Sequence, residues 1–352
     1  MKKSAVVLTV LLCCFLLFLG VGGCGGTAPP STTTAEAVHW TCLQPTGKAP
    51  SGRLGHVMAY DPGLGKMILF GGWDGSGTVQ FNDTWAYDPS AKTWTELNPA
   101  GDVPSVRGML GAAYDPSDGT VLIFGGCGGE SQAMNDLWAY DPAANTWTQL
   151  EAGSDIPSLR RDHAMVYVPS LGQVILFGGC EGLTSYDDTW AYDPAANIWT
   201  ELHPAGDVPC ARVCHTMVYD PGSGKVILFG GGDEANTAMN DLWAYDPAEN
   251  VWAELHPAGD VPCARLGQAM VYNPASGKVI LFGGMDQAMN NLNDLWAYDP
   301  AANTWTELQP VGDVPPARDS HAIACDPASG KVILFGGENG CAVLDDTWVL
   351  AP

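Results

Sequence analysis

The chain repeats itself with a fixed period, and that constrains its fold more than any other feature. Residues 293–318 read NDLWAYDPAANTWTELQPVGDVPPAR, and near-copies occupy 240–265, 187–212, 135–160 and 82–107. The head of a sixth copy, Asp345-Asp346-Thr347-Trp348, lies at the C-terminus and its tail, residues 40–53, near the N-terminus. Each copy joins a second block typified by MVYDPGSGKVILFGG at 217–231. Glycine pairs at Gly71-Gly72, Gly125-Gly126, Gly178-Gly179, Gly230-Gly231, Gly283-Gly284 and Gly336-Gly337 mark the period. Repeats of about 50 residues are units that bury their apolar faces only against their neighbours.

Within one unit, residues 215–220 (HTMVYD) form a short β-type run and Pro221-Gly222-Ser223-Gly224 a turn. Residues 225–231 (KVILFGG) are too short and too β-branched for a helix. After a polar loop come two more strands, 241–245 (DLWAY) and 251–255 (VWAEL), joined by an Asp-Pro turn. Every connection is short, so the four strands form an antiparallel meander. One such sheet cannot bury both faces; six in a ring can. The third-strand tryptophans are Trp85, Trp138, Trp190, Trp243, Trp296 and Trp348, and those of the fourth strand are Trp40, Trp94, Trp147, Trp199, Trp252 and Trp305.

An apolar run, Gly-Gly, an aromatic on the third strand, a Tyr-Asp-Pro turn and a fourth-strand tryptophan resemble the kelch repeat. The resemblance implies an all-β fold over residues 39–352: a six-bladed β-propeller of four-stranded antiparallel blades. The last blade has three strands at the C-terminus, so the N-terminal Trp40-Thr41-Cys42-Leu43 is expected to complete it and cover a bare sheet edge.

Residues 1–23 read as a signal peptide: Lys2 and Lys3 precede an apolar run, Ala5 to Leu19, shorter than a membrane span. Val21-Gly22-Gly23-Cys24 resembles the lipobox of bacterial lipoproteins, which implies lipidation at Cys24. Residues 25–38, rich in Thr, Pro and Ala, read as a flexible linker, so 24–38 would tether the propeller outside the cytoplasmic membrane, at the cell envelope. The formal charge of −24 argues against nucleic acid and anionic membrane surfaces as partners; contact with the membrane is expected through the lipid alone. Of 11 cysteines, eight remain after Cys13, Cys14 and Cys24, and their spacing shows no metal pattern. Packed sheets lie about 10 Å apart, too far for Cys210–Cys263 or Cys127–Cys180 bridges; Cys180 with Cys214 is the better-placed pair.

In a meander, the loops after strands two and four share one face, the mouth face. Six in-register arginines are expected there: Arg53, Arg107, Arg160, Arg212, Arg265 and Arg318. In kelch substrate adaptors, arginines matching this position line the mouth and grip acidic peptides, as a guanidinium fork suits carboxylates. The competing reading is internal: Asp83 and its equivalents, with Asp102 and its equivalents, can neutralise them in blade-to-blade salt bridges. His56, His163, His215 and His321 each follow an arginine by three residues and read as packed, hydrogen-bonded side chains rather than a metal site. The residue after each glycine pair differs in every blade: Trp73, Cys127, Cys180, Gly232, Met285 and Glu338.

These features point to a monomeric, cofactor-free module that binds a protein or glycan at its mouth, with Arg53, Arg107, Arg160, Arg212, Arg265, Arg318, Trp73, Met285 and Glu338 as binding residues. Two alternatives stand beside it. A scaffold needs no ligand. A carbohydrate-active enzyme similar to kelch mutarotases needs acids or bases with an arginine clamp, for which Glu338 beside Arg318 is the candidate; the copper oxidases of the family need inserted loops that this chain lacks.

Overall fold

A computed structural model describes residues 38–76, 79–129 and 132–351. Six four-stranded antiparallel sheets are arranged as a six-bladed propeller. Blade four shows the plan, with strands Thr216–Asp220, Lys225–Phe229, Leu242–Asp246 and Val251–Leu255 paired in sequence order. The first strand of each blade is innermost, and these strands contact one another around the ring. Two short two-stranded ribbons are added: Cys180–Glu181 pairs with Thr184–Ser185 as a hairpin, and Arg265–Leu266 pairs with Met285–Asp286 across the first two strands of blade five.

The two-residue period of a strand divides each blade's second strand between two interfaces. Val226 and Leu228 pack with Ile175 and Phe177 of blade three. Ile227 and Phe229 pack with Val279 and Leu281 of blade five. Both sets are buried, which is why the run KVILF is apolar throughout rather than alternating. The fourth-strand tryptophans lock adjacent blades: Trp252 lies against Phe177 with ring centroids 5.2 Å apart and donates from Nε1 to Thr189 Oγ1 at 3.2 Å.

The ring closes as the chain ends imply. His39–Leu43 pairs antiparallel with Thr347–Ala351. Trp40 is 4 % exposed and packs on Phe282 of blade five. Cys24, the signal peptide and most of the linker lie outside the described residues.

The glycine pair marks where the next blade's backbone crosses. Gly230 and Gly231 have φ of 65° and 96°. The Gly231 N–H donates to Arg265 O at 2.9 Å, and a Cβ on Gly230 would stand 2.9 Å from that same oxygen. A side chain is therefore excluded by close approach as well as by backbone conformation.

Candidate functional site

The expectation that six arginines line the mouth is corrected by their burial. Each is 0 % exposed. Arg212 holds Asp241 through a fork, Nη1–Oδ1 2.9 Å and Nη2–Oδ2 2.7 Å. It also donates from Nη1 to Gly230 O at 3.0 Å and from Nε to Cys210 O at 3.1 Å. The same fork joins Arg53 to Asp83, Arg107 to Asp136, Arg160 to Asp188, Arg265 to Asp294 and Arg318 to Asp346. The pairs lie within a blade, not between blades: each arginine precedes the first strand and its aspartate the third. Asp102, Asp155, Asp207, Asp260 and Asp313 take no part and are exposed. Burial alone would raise the Asp241 pKa, but the two arginine hydrogen bonds, its charge and the Trp243 N–H outweigh it and hold the carboxyl below its ordinary range.

The histidines are packed, as expected, between blades. His215 stands edge-on to Phe177 of blade three, centroids 5.6 Å apart, and His56, His163 and His321 repeat the contact. The hydrogen bonds expected of them are not made: no ring nitrogen of the four has a partner of good geometry. At the same place Gln268 makes one, donating to Phe229 O at 2.9 Å. Burial, then the neighbouring arginine charge, pushes His56 and His215 down to about 3.

The residue before each of these positions builds the mouth. Gly55, Met109, Asp162, Cys214, Gly267 and Ser320 all have φ between 54° and 67°. Their backbones form a closed ring, blade to blade: Met109 N donates to Gly55 O, Asp162 to Met109, Cys214 to Asp162, Gly267 to Cys214, Ser320 to Gly267 and Gly55 to Ser320, at 2.7–3.0 Å. This collar narrows the central channel to a cavity of about 130 Å³. The opposite end, where the Asp-Pro turns lie, opens wider, to about 450 Å³, among Tyr60, Tyr114, Tyr219, Tyr272 and Met217.

Around the collar the charge is uneven. Arg161, which the repeat register passes over in favour of Arg160, is the arginine that reaches the mouth, its side chain 25 % exposed. Its Nη1 pairs with Asp162 Oδ2 at 2.6 Å. Burial raises the Asp162 pKa and the Arg161 charge opposes the rise. The equivalent of Arg161 in blade six, across the ring, is Asp319, whose backbone pairs with Glu338. Burial raises both carboxyls above their ordinary range, Glu338 further because of the Asp319 charge. Glu338 therefore lies beside Asp319 rather than beside Arg318, which is spent on Asp346.

Met285 is half-buried on this face. Trp73 is 9 % exposed and packs with Leu54 and Cys127 over Gly108, where a Cβ would come within 2.4 Å of its ring. Cys180 and Cys214 are free thiols, so the expected bridge is not formed. Cys214 Sγ lies 3.4 Å from Asp162 Oδ1 instead. Burial, then the Asp162 charge, raises Cys127 to about 12 and Cys180 to about 11.

Comparison with known proteins agrees with this architecture. The family model described as the KLHDC2/KLHL20/DRC7 Kelch-repeats domain matches residues 31–222 and again 172–352. Adagio-like protein 1 of Oryza sativa subsp. japonica is 29 % identical over 343 residues, 90 % of this chain and 51 % of that protein. Kelch domain-containing protein 3 of Bos taurus is 27 % identical over 293 residues, 77 % and 74 % of the two chains. Mei4-dependent protein 6 of Schizosaccharomyces pombe is 25 % identical over 324 residues, 82 % and 45 %. The chain spans about half the length of two of these relatives. With glycine pairs, tryptophans and arginine–aspartate forks in register through six blades, the chain belongs to the kelch-repeat family of β-propellers.

Proposed function

We propose that this propeller binds a protein ligand on its collar face, and that a lipid on Cys24 tethers it outside the cytoplasmic membrane. The observation that carries the site is the uneven charge on a closed frame. Arg161 offers donors beyond its single engaged nitrogen, while Asp319 and Glu338 stand across the ring. Six internal forks hold that frame without drawing on it. The kelch fold itself is suited to protein binding. A protein fits better than a glycan because Trp73, the aromatic of the mouth set, is covered and offers no open ring for a sugar to stack on.

The test compares Arg161→Ala and Glu338→Gln with Ser276→Ala, which alters an exposed turn on the opposite face. The collar variants should lose a captured envelope protein and the turn variant should keep it; the reverse pattern defeats the assignment. Cys24→Ser should release the protein from the membrane fraction, and retention with an acyl chain attached would remove the tether.

A second reading has one observation in its favour. Two adjacent carboxyls with raised pKa, Asp319 and Glu338, can divide acid and base roles. Turnover of a sugar that Glu338→Gln abolishes would replace the binding function with an enzymatic one.

A further inference from the structure

The joint between blades two and three carries a cavity of about 490 Å³ at the propeller's rim, lined by Asp155, Ile156, Trp190, Trp199 and Glu201 among others. It arises from a shift of one residue in a loop. In five joints the loop places a left-handed glycine four residues after the last leucine of the preceding fourth strand: Gly47, Gly101, Gly206, Gly259 and Gly312. The residue before it then bridges to the next outer strand, as Ala100 does to Thr146 and Ala205 to Val251. After Leu150 the glycine arrives one residue early, as Gly153 with φ 85°. Among the described residues this joint makes no such bridge, and Ile198, which would receive it, is 53 % exposed.

The repeat contains an occupant for the equivalent place. Lys48 matches Asp155 in register, each five residues after the leucine. Its ammonium lies 5.4 Å from the Trp85 ring centroid and pairs with Glu96, although most of the side chain is open to solvent. Trp85 and Glu96 are cross-strand partners, as Trp190 and Glu201 are in blade three. Where blade one has its own lysine, blade three has a second carboxylate.

We propose that this cavity receives a lysine side chain of a basic protein partner, its ammonium set between Asp155 and Glu201 and over Trp190, as Lys48 is set in blade one. Two carboxylates and an aromatic face select a compact cation. The excess of 39 acidic over 15 basic side chains draws such a partner in. Asp207, Trp243 and Glu254, then Asp260, Trp296 and Glu307, repeat the acid–aromatic set on the next two blades with the rim bridge closed. The site is separate from the collar and does not depend on what binds there.

The experiment titrates the full chain, with its tryptophan indoles labelled with ¹⁵N, with N-acetyl-lysine methylamide and with its Nε-acetylated form. The free ammonium should shift the Trp190 resonance saturably and the acetylated probe should not. Glu201→Gln should weaken binding at least tenfold. Asp155→Lys, which supplies an internal occupant at an exposed position, should abolish it, while Arg161→Ala leaves the titration unchanged. Absence of a saturable shift, equal binding of the acetylated probe, or undiminished binding by both Asp155→Lys and Glu201→Gln would overturn the proposal.

Discussion

Asp294→Ala tests the assignment of the arginines to the frame. Arg265 is 0 % exposed, while 24 % of the Asp294 side chain meets solvent. Removing the carboxylate strips the buried guanidinium of its counter-ion and of both fork bonds, 2.7 and 2.6 Å. It also deprives Trp296 Nε1 of its acceptor. Breaking a buried pair from one side costs about 3–5 kcal/mol. The open edge of this pair admits water, which places the expected loss near the lower figure. The exposed Lys48–Glu96 pair is the control, and Glu96→Ala should cost about 0–1 kcal/mol. Urea unfolding followed by tryptophan fluorescence reads both. An Asp294→Ala protein within about 1 kcal/mol of the parent would show that the fork is not structural and return Arg265 to the ligand contacts.

Three further outcomes follow from burial. Two of the buried histidines sit at about 3 and the other two well below the ordinary value, so the unfolded chain binds more protons between there and about 6.5. Stability should be complete above about pH 6.5 and fall as pH drops toward 3, by up to about 1.4 kcal/mol per unit for each histidine; His215→Gln, which copies the glutamine that blade five carries as Gln268, should flatten the slope, and an unchanged slope would contradict this. Trp40→Ala should cost about 3–5 kcal/mol, and deletion of residues 39–44 should lower the melting temperature by exposing the edge of Thr347–Ala351; a truncated protein that melts like the parent would refute closure. Alkylation at pH 8 should label the exposed Cys210, Cys263 and Cys341 and spare Cys127 and Cys180, as peptide mapping would report.

The fold was legible because each blade states the same four strands in the same order, and the split copy at the two termini states how the ring closes. Depth was not legible. A meander assigns Arg212 and Asp241 to one face, but whether that face is open or covered depends on the collar, built from six left-handed residues of five types. The glycines Gly55 and Gly267 hinted at it, whereas Met109, Asp162, Cys214 and Ser320 gave no signal. Arg161 was missed because Arg160 filled the register position, although the doubled arginine departs from the repeat. The rim cavity was hidden in the same way. The step from Leu150 to Arg160 has the common length, and only the early Gly153 betrays that the loop runs differently.

Docking of a protein ligand on the collar face is tested most directly by photo-crosslinking, with a benzoylphenylalanine placed at Met285 on that face and at Ser276 in a turn on the opposite face. A discrete adduct from Met285 and none from Ser276 is the expected result. An adduct from Ser276 alone would place the ligand at the wider, tyrosine-lined opening and contradict the site assignment.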